Sequence, residues 1–497
     1  MALQYVNGLL SYLIVIVCSL LMSLYGTNNP FQIGYSGSDS SVFIYVAKEI
    51  LDGGMPYRDT FDHKGPLIYL IDALGLAINE QIGIWIIELI TIFVIFLFTY
   101  KIARILRCSV FLSCFIVSIG VFFLSCYFQG GNLTEEYACA FIIISLYYFL
   151  NYFICGEVKK VELVLCGISF ASVCMLRANM IALWIIMCIG VMVERICKHC
   201  EKDICKFLYW FLIGTAIVII PILIWLIRNN AFNDFINDYL FFNFLYSSDV
   251  ERVSFANIIE AIKFFIMGPP LVLTLPFLCY LCIKQNRFID WLCMLTNVLS
   301  VVLSCISGQK YEHYGMIFYP LVIYALSRIL YEFFLLKEDT TKKKVMKFFL
   351  LSSYVCLVFC YFLPFLFFFI NITKSTIFCH NGIFSNEKKV VSVIQSLTNE
   401  KDKITVVGNN NMFYLLSKRK SASKYSYQHP IAKVYPKIWG EYFADIRQLT
   451  ARVVVLPTSA RYNYPYKEIL PTLNDNYTLV TVLPGNETYE IYILKKL

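Results

Sequence analysis

The sequence predicts a polytopic α-helical membrane protein with an α/β domain at its C-terminus. Three observations lead there. Hydrophobic residues make up 59% of the 497 residues and charged ones only 15%, with a mean hydropathy of +0.65; a water-soluble chain of this length carries far more charge. Apolar runs of roughly 20 residues, enough to cross a hydrocarbon core of about 30 Å, recur along the chain. From about residue 377 the composition turns ordinary and globular. The expected domains are therefore 1–376, in the membrane, and 377–497, with 26–82 forming a first outer loop that carries surface helices.

About eleven spans are expected, at 8–25, 83–101, 108–126, 137–155, 161–176, 180–194, 207–227, 258–283, 289–306, 315–334 and 347–371. The first run lacks a basic start and a small-residue cleavage site, so it reads as a retained span. Sixteen basic residues crowd alternate loops: Lys101, Arg104 and Arg107; Lys159 and Lys160; Arg195, Lys198, Lys202 and Lys206; Lys284 and Arg287; Lys337, Lys342, Lys343, Lys344 and Lys347. The intervening loops hold few, among them Arg177, Arg228, Arg252 and Lys310. By the positive-inside rule the first set and the N-terminus are cytoplasmic, and everything after 372 is extracytoplasmic. The expected location is the plasma membrane. The net charge of +8 sets orientation and implies no nucleic-acid partner. Most of the 19 cysteines fall inside spans, where a thiol is a small apolar side chain. No disulfide framework is expected. Cys197-Lys-His-Cys200 lacks a second ligand cluster and is read as structural.

On this orientation five polar clusters share the outer side: 37–66, 129–138, 177–180, 228–252 and 308–315. Their convergence suggests one shared site. In the first cluster a helix is expected over 40–52, lying on the membrane surface with Val42, Phe43, Val46 and Ile50 on one face. Gly53-Gly54 stops it, and Pro56 and Gly65-Pro66 shape the return to the next span. Asp39 opens that helix, either as its N-cap or as a base that takes the proton of an attacking hydroxyl. The positive end of the helix suits a carboxylate in both cases.

The run Arg58-Asp59-Thr60-Phe61-Asp62-His63-Lys64 mixes both charges with an imidazole. His63 and Lys64 are candidates for a phosphate, Asp59 and Asp62 for a sugar or metal, and Arg58 completes the group; the alternative is a self-paired turn. Glu135 and Glu136 open a span, where two acids must face water or cations. Arg177, between two short apolar segments, reads as a partner for an anion such as a lipid phosphate. Lys310 and His313, with Tyr311 and Glu312, form a second basic-aromatic cluster with the same reading.

In the last 120 residues, Ile404–Val407, Val453–Leu456, Leu479–Leu483 and Tyr489–Leu494 read as strands, and 387–397, 433–449 and 466–473 as helices. The alternation predicts a small α/β domain.

Gly37-Ser-Asp39 after the first span, the helix ending Gly53-Gly54-Met-Pro-Tyr57, His63-Lys64-Gly-Pro66, Thr134-Glu135-Glu136 and Tyr311-Glu-His-Tyr314 together resemble the GT-C superfamily of integral-membrane glycosyltransferases. The relatives in question are the bacterial protein O-mannosyltransferase and aminoarabinose lipid A transferase enzymes. The resemblance implies a GT-C fold, a polyprenyl-phosphate sugar donor, a lipid, glycan or protein acceptor, and transfer with inversion. In that scheme Asp39 matches the catalytic base, and Arg177, Lys310, His313 and Lys64 are candidates for the donor phosphate. Asp39 stands without an adjacent acid, which argues against a tightly bound divalent metal; no metal ligands are assigned. The competing function is a transporter or flippase of lipid-linked glycans. It fits less well, because no internal repeat is present and the polar residues lie at one face.

Overall fold

Apolar runs become helices because hydrocarbon offers backbone N–H and C=O groups no other partner. The structure, a computed structural model, describes residues 2–31, 37–156, 159–248, 254–335, 385–462, 465–484 and 488–495. The span expected at 347–371 lies outside these residues. The helices of the first 335 residues are α1 (Ala2–Leu24), α2 (Ser38–Leu51), α3 (Pro66–Ile78), α4 (Gly83–Ile105), α5 (Val110–Ser125), α6 (Thr134–Cys155), α7 (Lys160–Leu176), α8 (Ala182–Cys197), α9 (Lys202–Arg228), α10 (Phe232–Phe235), α11 (Phe242–Ser248), α12 (Phe255–Ile266), α13 (Pro269–Gln285), α14 (Phe288–Cys305) and α15 (Tyr319–Leu335).

The chain folds as two compact units that do not follow chain order. One comprises 1–29, 85–223 and 250–373; the other comprises 30–84, 224–249 and 374–497. The sequence reading set the first loop with the membrane spans. Here it joins the C-terminal residues, together with a segment after α9.

In the first unit, α4, α6, α9, α14 and the run Glu312–Glu332 are long and apolar enough to cross a membrane. The stretch Gly8–Leu24 of α1 and the helix α5 are apolar but shorter. The span expected at 258–283 is instead two helices, α12 and α13, bent by 84°. Gly268-Pro269-Pro270 sits at the break: Pro269 and Pro270 lack the N–H groups that would continue the ladder. Counting that pair as one span gives six among the described residues. The short segments expected around Arg177 are present as α7 and α8, joined by the 3₁₀ turn Ala178–Met180.

Helices α7 and α9 cross at two glycines. A Cβ on Gly167 would lie 2.0 Å from the Phe211 carbonyl oxygen, and one on Gly214 would lie 2.0 Å from that of Val164. Small residues let membrane helices approach this closely, where van der Waals contact replaces the missing hydrophobic drive. Gly167→Val must push the helices apart and is expected to cost about 3 kcal/mol or more. Melting of the purified protein checks this against Gly440→Ala, whose Cβ meets nothing within 4 Å.

In the second unit, α2 and α3 pack against each other. Val42, Phe43, Ile44, Tyr45, Val46 and Ala47 are all buried, so protein covers most of the apolar face of α2, and only its end at Ile50 and Leu51 is partly open. The membrane-surface helix of the sequence reading is corrected to a helix enclosed by protein. Its polar residues hold the C-terminal domain: the Ser421 N–H donates to Tyr45 Oη at 2.9 Å, and Lys420 pairs with Glu49 at 3.3 Å and Asp52 at 3.0 Å. Helix α3 was read only as the return to the next span. Gly65 is its N-cap and Pro66 its first residue, a position where proline's missing N–H costs nothing.

The C-terminal domain adds α16 (Ser385–Leu397), α17 (Met412–Ser417), α18 (Ile431–Val434), α19 (Lys437–Arg447) and α20 (Leu470–Asn476) to five strands, β1 (Lys403–Val406), β2 (Lys420–Ser421), β3 (Ala451–Pro457), β4 (Tyr477–Leu483) and β5 (Tyr489–Leu494). The sheet order is β2-β1-β3-β5-β4. Strand β1 is parallel to β2 and β3, and β5 is antiparallel to β3 and β4. All four expected strands are present. The helix expected at 433–449 is divided at Tyr435-Pro436, again by a proline. Val390, Ile394, Phe413, Ile404, Val453, Val455 and Ile491 form the core, and Tyr45 of α2 inserts into it, its ring 5.2 Å from that of Tyr414.

Candidate active site

The candidate residues fall into one cluster in each unit. In the second unit, α2 begins two residues earlier than a cap at Asp39 would require. Gly37 is the N-cap, and no side chain caps the helix. Asp39 therefore lies in the first turn, exposed, with no hydrogen bond or ion pair among the described residues. A carboxylate is favoured at that end of a helix.

The loop 55–65 is tightly organised. Tyr57, fully buried, adopts φ +70°, a region costly for a residue with a side chain. Its N–H donates to the Thr60 carbonyl, and its hydroxyl to the Lys64 carbonyl at 2.7 Å. Arg58 and Asp59 pair with each other at 2.7 Å, half-exposed. Arg58 Nη1 also donates to the Asn229 carbonyl at 2.7 Å, and the Met55 N–H to Asp59. Arg58's hydrogen bonds hold the Asp59 carboxyl below its ordinary value.

Asp62 is buried, and both its oxygens accept hydrogen bonds from protein. Tyr427 Oη and the His63 N–H donate to Oδ1 at 2.6 and 2.7 Å, and Tyr69 Oη donates to Oδ2 at 2.7 Å. Burial pushes this carboxyl up. The hydrogen bonds from His63 and Tyr427 and the charges of His63 and Lys64 outweigh that and hold it at about 2. The geometry makes Asp62 an anchor that ties the loop to the C-terminal domain. His63 stacks on Tyr246 with centroids 5.8 Å apart and lies 3.1 Å from Lys64 Nζ. The Asn243 side chain donates to the His63 carbonyl.

In the first unit the structure brings together three of the five polar clusters. The loop Gln129-Gly-Gly-Asn132 runs through positive φ at all four residues. Gly131 has φ +80°, and an added Cβ would lie 2.8 Å from the buried Phe128 ring, so glycine is required there. The loop delivers the chain to the start of α6, where the Asn132 N–H donates to Glu136 Oε2 at 2.8 Å. Glu135, also buried, pairs with Arg177. The Arg177 guanidinium lies 4.0 Å from the ring centroid of Tyr314, a cation–π contact. His313 meets Gln129 Oε1 at 2.7 Å and stacks on Tyr311. Lys310 pairs with Glu260 of α12. Two polar atoms at this cluster are buried and lack a hydrogen-bond partner among the described residues: Tyr127 Oη and Asn179 Oδ1. The Tyr127 ring packs against Gly315, where an added Cβ would come within 2.4 Å. No group of three or more His, Cys, Asp or Glu side chains among the described residues is placed to hold a metal ion.

Sequence reasoning missed Tyr57, Tyr69, Tyr127 and Tyr427. Only Tyr57, within the Gly-Gly-Met-Pro-Tyr run, carried any local signal.

Comparison with solved structures defines the class. The chain resembles ArnT from Cupriavidus metallidurans, with and without bound undecaprenyl phosphate, at TM-score 0.60 and 11% identity over 97% of both chains. It also resembles the oligosaccharyltransferase of Archaeoglobus fulgidus, solved with a tethered acceptor peptide, at TM-score 0.53 and 12% identity, covering 98% of this chain and 74% of that one. The protein thus has the GT-C fold of integral-membrane proteins, as the motif resemblance implied. No curated protein sequence matches it. Residues 5–381 match the family model "Putative competence-induced protein Ccs4 N-terminal domain", and the chain belongs to that family.

Proposed function

We propose that this protein is a glycosyltransferase that moves a sugar from a polyprenyl-phosphate donor to an acceptor hydroxyl on the outer side of the plasma membrane, with inversion. The observation that carries the reading is the Arg177 cluster. A nearly buried guanidinium is held by Glu135 over the Tyr314 ring, with the Tyr127 hydroxyl, a donor that has no partner among the described residues, at the same cluster. Such a site suits a phosphate that arrives with an apolar chain. The fold shared with ArnT, which binds undecaprenyl phosphate, supports it.

In the proposed chemistry Asp39 takes the proton of the acceptor hydroxyl. That oxygen forms the new bond to the anomeric carbon from the face opposite the phosphate. The bond from the anomeric carbon to the phosphate oxygen breaks, and the electron pair leaves with polyprenyl phosphate. The leaving group is already a stable anion, so no strong general acid is needed. Arg177, Lys310, His313 and Lys64 stabilise the charge as it develops. Glu135 positions Arg177, and Glu136 fixes the loop before α6. Asp62 and the Arg58–Asp59 pair hold the loop that presents His63 and Lys64. The transition state is oxocarbenium-like.

The test is an assay of polyprenyl phosphate release by purified protein, paired with donor binding. An Arg177→Ala, Lys310→Ala double variant is expected to weaken donor binding by about 10²-fold, the loss of two charge-assisted contacts. Unchanged donor affinity in a folded double variant would remove the phosphate assignment.

A further inference from the structure

The first unit contains a cavity of about 410 Å³, with apolar and charged lining, at the far end of its helices. It forms where α6 and α8 end and α14 begins, against the side of α15. The 22 residues of α6, at 1.5 Å each, put it roughly 30 Å from Glu135. It is therefore separate from the Arg177 cluster. These helix ends carry the basic loops, with Arg104, Arg107, Lys159, Lys160 and Arg195 around them.

Phe153, Phe288 and Ile289 give the cavity apolar walls, and Arg287, Arg328 and Glu194 give it charge. Arg328 is 3% exposed. It lies between Asp290 at 3.4 Å and Glu332 at 3.6 Å, and Nη2 donates to Gln285 at 2.6 Å. Its Nε, buried, has no hydrogen-bond partner among the described residues. Arg328 is part of the cavity wall, and an N–H of a buried guanidinium without an acceptor costs free energy. Glu194 is neutralised by Lys198 at 2.6 Å. Arg287 is exposed and has no ion pair or side-chain hydrogen bond among the described residues. Of the two cations that line the cavity, it is the one without an ion pair among the described residues.

We propose that this cavity binds the phosphodiester headgroup of an anionic membrane lipid in the leaflet of the basic loops, with Arg287 on the phosphate, Arg328 in the wall beside it, and an acyl chain against Phe153, Phe288 and Ile289. Basic pockets between spans on the cytoplasmic side recognise anionic headgroups in this way. The apolar walls favour a phosphate attached to a chain over free phosphate. This site does not depend on the transferase reading.

Native mass spectrometry of the delipidated full chain, titrated with phosphatidylglycerol, phosphatidylcholine or inorganic phosphate, tests it. Phosphatidylglycerol is expected to fill one site about tenfold more tightly than phosphatidylcholine, and millimolar inorganic phosphate to leave it in place. Arg287→Gln is expected to weaken phosphatidylglycerol by about tenfold, the loss of one charge-assisted hydrogen bond, and Arg287→Glu by more. Arg287 is exposed and unpaired, so both variants keep the wild-type melting temperature without lipid. Equal binding of the two lipids, displacement by inorganic phosphate, or unchanged phosphatidylglycerol binding in both variants would overturn the proposal.

Discussion

Asp39→Asn is expected to lower sugar transfer by about 10²–10⁴-fold, the usual contribution of a positioned base, while leaving the protein folded. Asparagine keeps the size of the side chain and removes its ability to accept a proton. The side chain is exposed, caps nothing and has no partner among the described residues. Substitutions at such positions change stability by about 0.5 kcal/mol or less. Activity and stability should therefore separate: release of polyprenyl phosphate falls, and the melting curve stays in place. Donor affinity should also hold, because the phosphate contacts are assigned to other residues. If the variant releases polyprenyl phosphate at the wild-type rate, another group deprotonates the acceptor.

The features legible in the sequence were those written locally. Long apolar runs announced the helices, and alternating residues announced four strands of the sheet. The break at Gly268-Pro269-Pro270 was also written there, but an average of hydropathy over 258–283 passes across it. Helix α3 was hidden because Gly65-Pro66 reads as a turn and Asp72 interrupts the apolar run. Asp39, Glu135 and Arg177 stood out because a charge between apolar runs needs a reason. The enclosure of α2 was not legible. Its hydrophobic face looks the same whether lipid or protein covers it, and only the fold shows that Tyr45 enters the core of the C-terminal domain. Nor could spacing reveal that Asp62 meets Tyr427, 365 positions away. The sequence offered Asp62 as a sugar or metal contact; the fold uses both its oxygens internally.

That use predicts how the second unit responds to acid. Asp62 titrates at about 2 in the folded protein against an ordinary 3.8. A carboxyl lowered by folding contributes stability that is complete above its unfolded value and disappears as pH falls through its folded value. Asp62 should thus add about 2–3 kcal/mol above pH 4, at roughly 1.4 kcal/mol for each pH unit of the gap, and lose it between about pH 4 and pH 2. Asp62→Ala removes the acceptor for Tyr69, Tyr427 and the His63 N–H, and leaves the charges of His63 and Lys64 without their buried partner. Breaking a buried charge pair from one side costs about 3–5 kcal/mol, so this variant should melt far below wild type at neutral pH. The Asp62→Asn variant separates charge from shape. It keeps one acceptor oxygen, so it should be less damaged than Asp62→Ala, and it cannot titrate. Other carboxylates titrate in the same range, so the informative quantity is the difference in melting between wild type and Asp62→Asn, measured from pH 7 to pH 2. That difference should be constant above pH 4 and shrink below it. A difference that stays level down to pH 2 would mean that Asp62 carries no charge in the fold. Transfer activity of Asp62→Asn adds a second reading: a loop held by this carboxylate should lose order at His63 and Lys64, which raises the donor KM more than it lowers kcat.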